Sequence, residues 1–286
     1  MPPSSRPASR LAARLRSAAR TQIAVALRTV PYDHRYAFIM RLARMLTPLV
    51  RRSAAYRGLA RITPVISPGD YALHRVLDTL TRGGTGFPLR VRVEGQEVVD
   101  EAIARGRGVL IASPHAPLCV PVLAWLDARA FPIDAVAASD FAWVSGTDAR
   151  RVTTLARGPG MMIRVRTRLR EGRTVWAMID RTDPRERRLV HFDTQAGRFM
   201  VSDALVKVAV RCGAEVVFLS ARSDPEHGIR AEFAAPRAGS AGSVERITAD
   251  FADFVREHIR KTTPTASTAA GTPSRTRALA PSHAEP

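Results

Sequence analysis

The chain has 286 residues and a net charge of +18, with 42 Arg and 2 Lys against 26 acids. A hydrophobic fraction of 45% excludes a disordered or fibrous protein, and the length suits one large domain or two small ones. Two cysteines, Cys119 and Cys212, exclude a disulfide framework, and neither sits in a zinc-binding Cys/His spacing, so no metal is expected.

The charge is uneven. Residues 1–60 hold twelve Arg and one acid, Asp33, a local balance of +11. Such a segment is expected to meet something anionic: a membrane surface, a nucleic acid or an acidic protein. No run of 18 apolar residues exists, so no transmembrane helix is predicted. Ile23 to Leu27 is too short for a signal-peptide core, which leaves the folded part in the cytoplasm. Residues 8–28 form an amphipathic helical pattern, with Leu11, Leu15, Ala19, Ile23 and Ala26 opposite Arg6, Arg10, Arg14, Arg16 and Arg20. Two readings stay open: a helix lying on an anionic bilayer, or a solvated helix with its stripe against the domain.

Helical spacing returns at about 35–60 and, after Pro68-Gly69, from Tyr71 to about Leu80. Short β-rich runs then alternate with helical patterns. The runs are Leu89–Val93, Val109–Ala112, Ile133–Ala137, Val175–Ile179, Val190–Phe192, Val216–Ser220 and Ile229–Phe233. The helical stretches fall at 97–105, about 117–128, 164–171, 203–212 and 244–260. This alternation predicts an α/β fold: a mixed, largely parallel sheet flanked by helices, with an N-terminal helical region. The expected division is a basic arm at 1–34, the α/β domain at 35–261 and a disordered Thr/Ser/Ala/Pro-rich tail at 262–286.

In open α/β sheets functional groups gather at the carboxyl ends of strands. Three ends carry chemistry: Ser113-Pro114-His115 after the second β run, Asp180-Arg181 after Val175–Ile179, and Ala221-Arg222 after Val216–Ser220. His115 is the catalytic candidate among the seven His, as a base for a hydroxyl; the structural alternative is a turn His satisfied by backbone bonds. Arg164, Arg166, Arg168, Arg170 and Arg173 recur at a spacing that one helix face cannot hold and an alternating strand can.

Gly106 through His115 resembles the strand and active-site His of the lysophospholipid acyltransferase superfamily, in its bacterial lipid A lauroyl and myristoyl acyltransferase branch. The approach Val91-Arg92-Val93-Glu94-Gly95, the segment Leu169 to Asp180 with Val175-Trp176, and the passage Leu205 to Val217 are similar to that branch in the same order. The resemblance covers about residues 35–260. It implies a peripheral membrane acyltransferase at the cytoplasmic face of the inner membrane. Such an enzyme moves a fatty acyl group from a carrier-protein or CoA thioester to a hydroxyl of a lipid or glycolipid, with no bound cofactor and no nucleic-acid partner. His115 is then the general base and Asp180 the strand-end acid. Arg164 is the preferred headgroup ligand, with Arg157 the alternative register, and Arg181 pairs with Asp180 or a phosphate.

One position departs from the pattern. The family has an acid four residues after the His, and here that residue is Val120. Three explanations compete. Asp180 or Asp140 reaches the ring instead; the chain has kept lipid binding and lost the chemistry; or Cys119, near His115 on a helix starting by Pro117, is a nucleophile of its own.

Overall fold

The computed structural model describes residues 22, 25, 29–61, 63, 65–82, 91–129, 131–137, 152–180, 189–194, 197–224 and 228–262. The 8–28 helix is therefore outside the described residues apart from 22 and 25. So are Asp140, Arg181 and the tail from 263 on.

Three helices open the described chain: α1 (Tyr32–Arg52), α2 (Ala54–Ala60) and α3 (Pro68–Arg82). The continuous pattern expected over 35–60 is in fact broken at Ser53, whose hydroxyl accepts the Tyr56 N–H at 3.1 Å and starts α2 as an N-cap. Helix α3 begins at Pro68, where a missing N–H costs nothing, and Ser67 Oγ accepts the Asp70 N–H at 3.0 Å.

The sheet elements follow: β1 (Val91–Glu94), α4 (Gln96–Ala104), β2 (Val109–Ser113), α5 (Cys119–Ala128), β3 (Ile133–Ala137), β4 (Val152–Ala156), α6 (Met161–Arg170) and β5 (Thr174–Met178). The hairpin β6 (Leu189–Thr194) and β7 (Gly197–Ser202) forms a separate antiparallel pair. Then come α7 (Ala204–Cys212), β8 (Glu215–Asp224), β9 (Gly228–Ala234) and α8 (Val244–Thr262). The main sheet has the order β1-β9-β8-β2-β5-β3-β4, parallel throughout except for the β8/β9 pair. The fold is α/β, with a mostly parallel mixed sheet flanked by helices.

Strand β2 is central and buried along its whole length, which is why Val-Leu-Ile-Ala reads as a continuous apolar run. Gly108 leads into it at φ +79°, and a Cβ there would stand 2.1 Å from the Leu169 carbonyl oxygen. Only glycine lets the end of α6 approach β2 this closely.

Two expectations are corrected. The helix expected at 164–171 is present as α6, which begins three residues earlier, buries Val165 and Leu169 and fans the arginines around its exposed side; the alternating-strand reading of the Arg spacing is the one that fails. The apolar residues between the arginines carried the helical period, and the arginines did not. Strands β4 and β7 were not foreseen: Val-Thr-Thr-Leu-Ala is a short edge strand, and β7 begins on a glycine.

Candidate active site

Parallel register brings the two candidate groups together. Ser113 of β2 is paired with Met178 of β5, and the Ile179 N–H donates to the Ser113 carbonyl at 3.0 Å. Two residues further along each strand stand His115 and Asp180. The His115 backbone N–H donates to Asp180 Oδ1 at 2.8 Å, and the ring Nδ1 lies 2.5 Å from the same oxygen. With Nδ1–H donating to the carboxylate, Nε2 is left as the basic nitrogen.

Asp180 is 1% exposed, so its charge needs partners. The third donor is the Thr63 hydroxyl, which gives its proton to Oδ2 at 2.8 Å. Thr63 lies in the turn between α2 and α3, itself fully buried and tied back by its N–H to the Leu59 carbonyl. Nothing in the sequence around Thr63 points to this role, because the contact spans 117 residues. Asp70 makes a parallel link from α3, accepting the Ser223 N–H at 2.9 Å near the end of β8. The N-terminal helices thus hold two strand ends of the sheet.

His115 keeps 10% of its side chain exposed, while the Asp180 side chain has none. Among the described residues no side chain hydrogen-bonds to Nε2. The arrangement is a base with one free lone pair, oriented from behind by a buried carboxylate.

Cys119 stands in a different environment. It is the first residue of α5, fully buried, with its thiol 3.9 Å from the Leu219 carbonyl. Burial first, then the Asp180 charge, pushes the thiol well above its ordinary range, which holds it as a protonated packing group. The helix starts after His115 and not at Pro117, so the four-residue spacing does not put the two side chains on one helical face. Val120 is packed in the core beside it.

The expected headgroup arginines are elsewhere. Arg164 donates from Nη2 to the Ala156 carbonyl at 2.7 Å, closing the turn between β4 and α6. Its strand, β4, is three places from β2 in the sheet, about 14 Å at the usual spacing. The Arg157 N–H is bound to the Ala137 carbonyl at 3.1 Å on the same edge. The structure brings His115 and Asp180 together and leaves Arg157 and Arg164 apart from them. Arg222 turns to the end of α8, 3.5 Å from the Lys261 carbonyl. Trp176 is core, and Trp125 packs against Phe233 with the Arg129 guanidinium over its ring.

Among the described residues no group of three or more His, Cys, Asp or Glu is placed to hold a metal ion, and no helix is long and apolar enough to cross a membrane. Compared with known proteins, the chain matches no family model and no curated sequence.

Proposed function

We propose that this protein is an acyltransferase related to the lysophospholipid acyltransferase superfamily, working at a membrane surface. It moves a fatty acyl group from a carrier-protein or CoA thioester to a hydroxyl of a lipid or glycolipid. The carrying observation is the His115–Asp180 pair, with no hydrogen bond to Nε2 from the described residues. The acceptor hydroxyl gives its proton to Nε2 as its oxygen attacks the thioester carbonyl. The tetrahedral intermediate then collapses, the C–S bond breaks, and the thiolate leaves with the proton returned by His115. Asp180 holds the ring and compensates its transient positive charge. No side chain of the described residues offers a nucleophile to Nε2, which favours direct transfer over a covalent enzyme intermediate. Arg181, next in the chain after Asp180, is the candidate cation for a phosphate.

Attachment to the cytoplasmic leaflet is assigned to the basic arm together with the outer face of α1. There Met45 and Leu49 are 75% and 64% exposed, flanked by the exposed Arg41, Arg44, Arg51 and Arg52.

The second reading is a lipid-binding protein of the same fold without activity, suggested by Val120 in place of the usual acid. Two measurements separate them: thioester turnover by purified protein, and the lipid mass spectrum of cells carrying His115→Ala. Under the first reading transfer falls about 10²–10⁴-fold and an acyl-shifted lipid disappears. No turnover with any thioester, together with an unchanged lipid profile, establishes the second.

A further inference from the structure

Helices α6 and α7 pack side by side, and between them lies a trough of about 450 Å³ lined by Met162, Ile163, Arg166, Arg170, Val208, Arg211 and Cys212. Met162, Ile163, Val208 and Cys212 give it an apolar strip, and Ile163 is 70% exposed. Among the described residues Arg166, Arg170 and Arg211 have no carboxylate partner. The neighbouring Arg168 and Arg173 do, on Glu171 and Asp134. In the two other large cavities every arginine is likewise paired: Arg105 and Arg107 with Glu215, Arg237 with Asp250, Arg256 with Asp253, and Arg260 with Glu257. Three unpaired guanidiniums around an exposed apolar strip therefore mark this trough out from them.

We infer that the trough docks an acidic amphipathic helix of the protein that carries the acyl thioester. This rests on the proposed acyl transfer. A trough between two helices accepts a third helix by ridges-into-grooves packing, with its apolar residues on Met162, Ile163 and Val208 and its carboxylates on the three arginines. A bilayer surface meets a convex face such as that of α1, and does not fill a concave one. Position also fits. Helix α6 starts just past the carboxyl end of β4, and α7 starts just past Ser202, whose N–H donates to the Ile179 carbonyl at 2.8 Å, beside Asp180. Both helices begin at the carboxyl ends of the strands, where the dyad stands. The trough runs from Met162 and Ile163 in the first turn of α6 down to Arg170 and Arg211 at the far ends of the two helices, so the Met162 end is the one from which an arm would reach His115.

The test uses a purified bacterial acyl carrier protein, unloaded and loaded with a dodecanoyl thioester. Binding of the unloaded carrier is measured by fluorescence anisotropy against the wild type, R166E/R170E/R211E, Ile163→Asp, and Arg198→Glu as a control outside the trough. The expected result is a Kd raised ~10–100-fold by the trough variants, weakened by salt and unaltered by the control. In turnover, KM for the loaded carrier rises in the trough variants, while kcat/KM for uncharged dodecanoyl-pantetheine stays at the wild-type value. No carrier binding by the wild type, or equal binding by the trough variants, overturns the inference. So does a loss of binding to phosphatidylglycerol vesicles in place of the carrier. Carrier binding through the trough without any turnover leaves the docking intact and sinks the acyltransferase reading. Turnover from the carrier that ignores the trough variants does the reverse.

Discussion

Asp180 accepts three hydrogen bonds, from the His115 backbone, the His115 ring and Thr63, in a site without water-exposed area on its side chain. Asp180→Asn keeps the size and removes the charge that fixes the ring, so the transfer rate is expected to fall about 10²–10⁴-fold with little change in KM. Steady-state kinetics with a soluble thioester donor check this, and a rate above a tenth of wild type would refute the dyad. Val120→Glu restores the acid at the position the resemblance implies, but Val120 is buried at 8% exposure and the ring is already held. An uncompensated buried charge costs about 3–5 kcal/mol, so the variant is expected to melt lower and to transfer no faster. A faster enzyme would mean that Asp180 does not orient His115 during turnover.

His258 gives a pH prediction at the same scale. Burial, reinforced by the Arg222 and Lys261 charges, lowers its pKa from 6.5 to about 4. The folded state therefore holds it neutral while the unfolded chain protonates it near 6.5. Its contribution to stability is complete above pH 6.5, declines as pH falls towards 4, and is lost below that. His258→Leu should flatten that part of a melting-temperature profile between pH 7 and 4. Glu257, kept below the ordinary carboxylate range chiefly by its hydrogen bond from Arg260, loses its contribution only as pH falls below 4.5, and it is common to variant and wild type, so the difference between the two profiles isolates His258. Parallel profiles for variant and wild type would remove His258 as a source of acid sensitivity.

At the scale of elements, the join between β2 and α6 depends on Gly108. A methyl group there meets the Leu169 carbonyl at 2.1 Å with φ at +79°, so Gly108→Ala combines a backbone clash with a strained dihedral. A loss of more than about 2 kcal/mol is expected in urea unfolding, and an undiminished midpoint would contradict the packing. Helix α1 makes the membrane prediction. Met45→Asp with Leu49→Asp should reduce sedimentation with anionic vesicles without altering the melt, because both side chains are exposed. Deleting residues 1–28 tests the other half of the attachment. If the deletion abolishes sedimentation and the double variant does not, the arm alone is the anchor.

The strands and helices were legible where burial imposes a period: β2 as an unbroken apolar run, β3 at the same residues as in the sequence, and α8 as a long amphipathic repeat. They were illegible where the pattern is thin, as in the edge strand β4 and the hairpin strand β7. Over 164–171 the buried Val165 and Leu169 carry the helical period, and the solvent-facing arginines between them obey none. At the site, Asp180 is legible as a partner for His115, because strand-end positions in a parallel sheet lie close. Thr63 is not, because a single hydroxyl in a turn leaves no trace in local sequence.

Across the whole molecule, the two links from the N-terminal helices join residues far apart in the chain, 117 positions for Thr63 to Asp180 and 153 for Asp70 to Ser223. Loop-closure cost grows only slowly with separation, so two such links tie the N-terminal helices to the sheet at modest entropic cost. Without the Thr63 hydroxyl, Asp180 would keep its two bonds from His115 and lose the donor to Oδ2. Under the proposed transfer, the Thr63 link would make the reaction depend on docking of the N-terminal helices, so a molecule with those helices undocked would turn over its thioester more slowly.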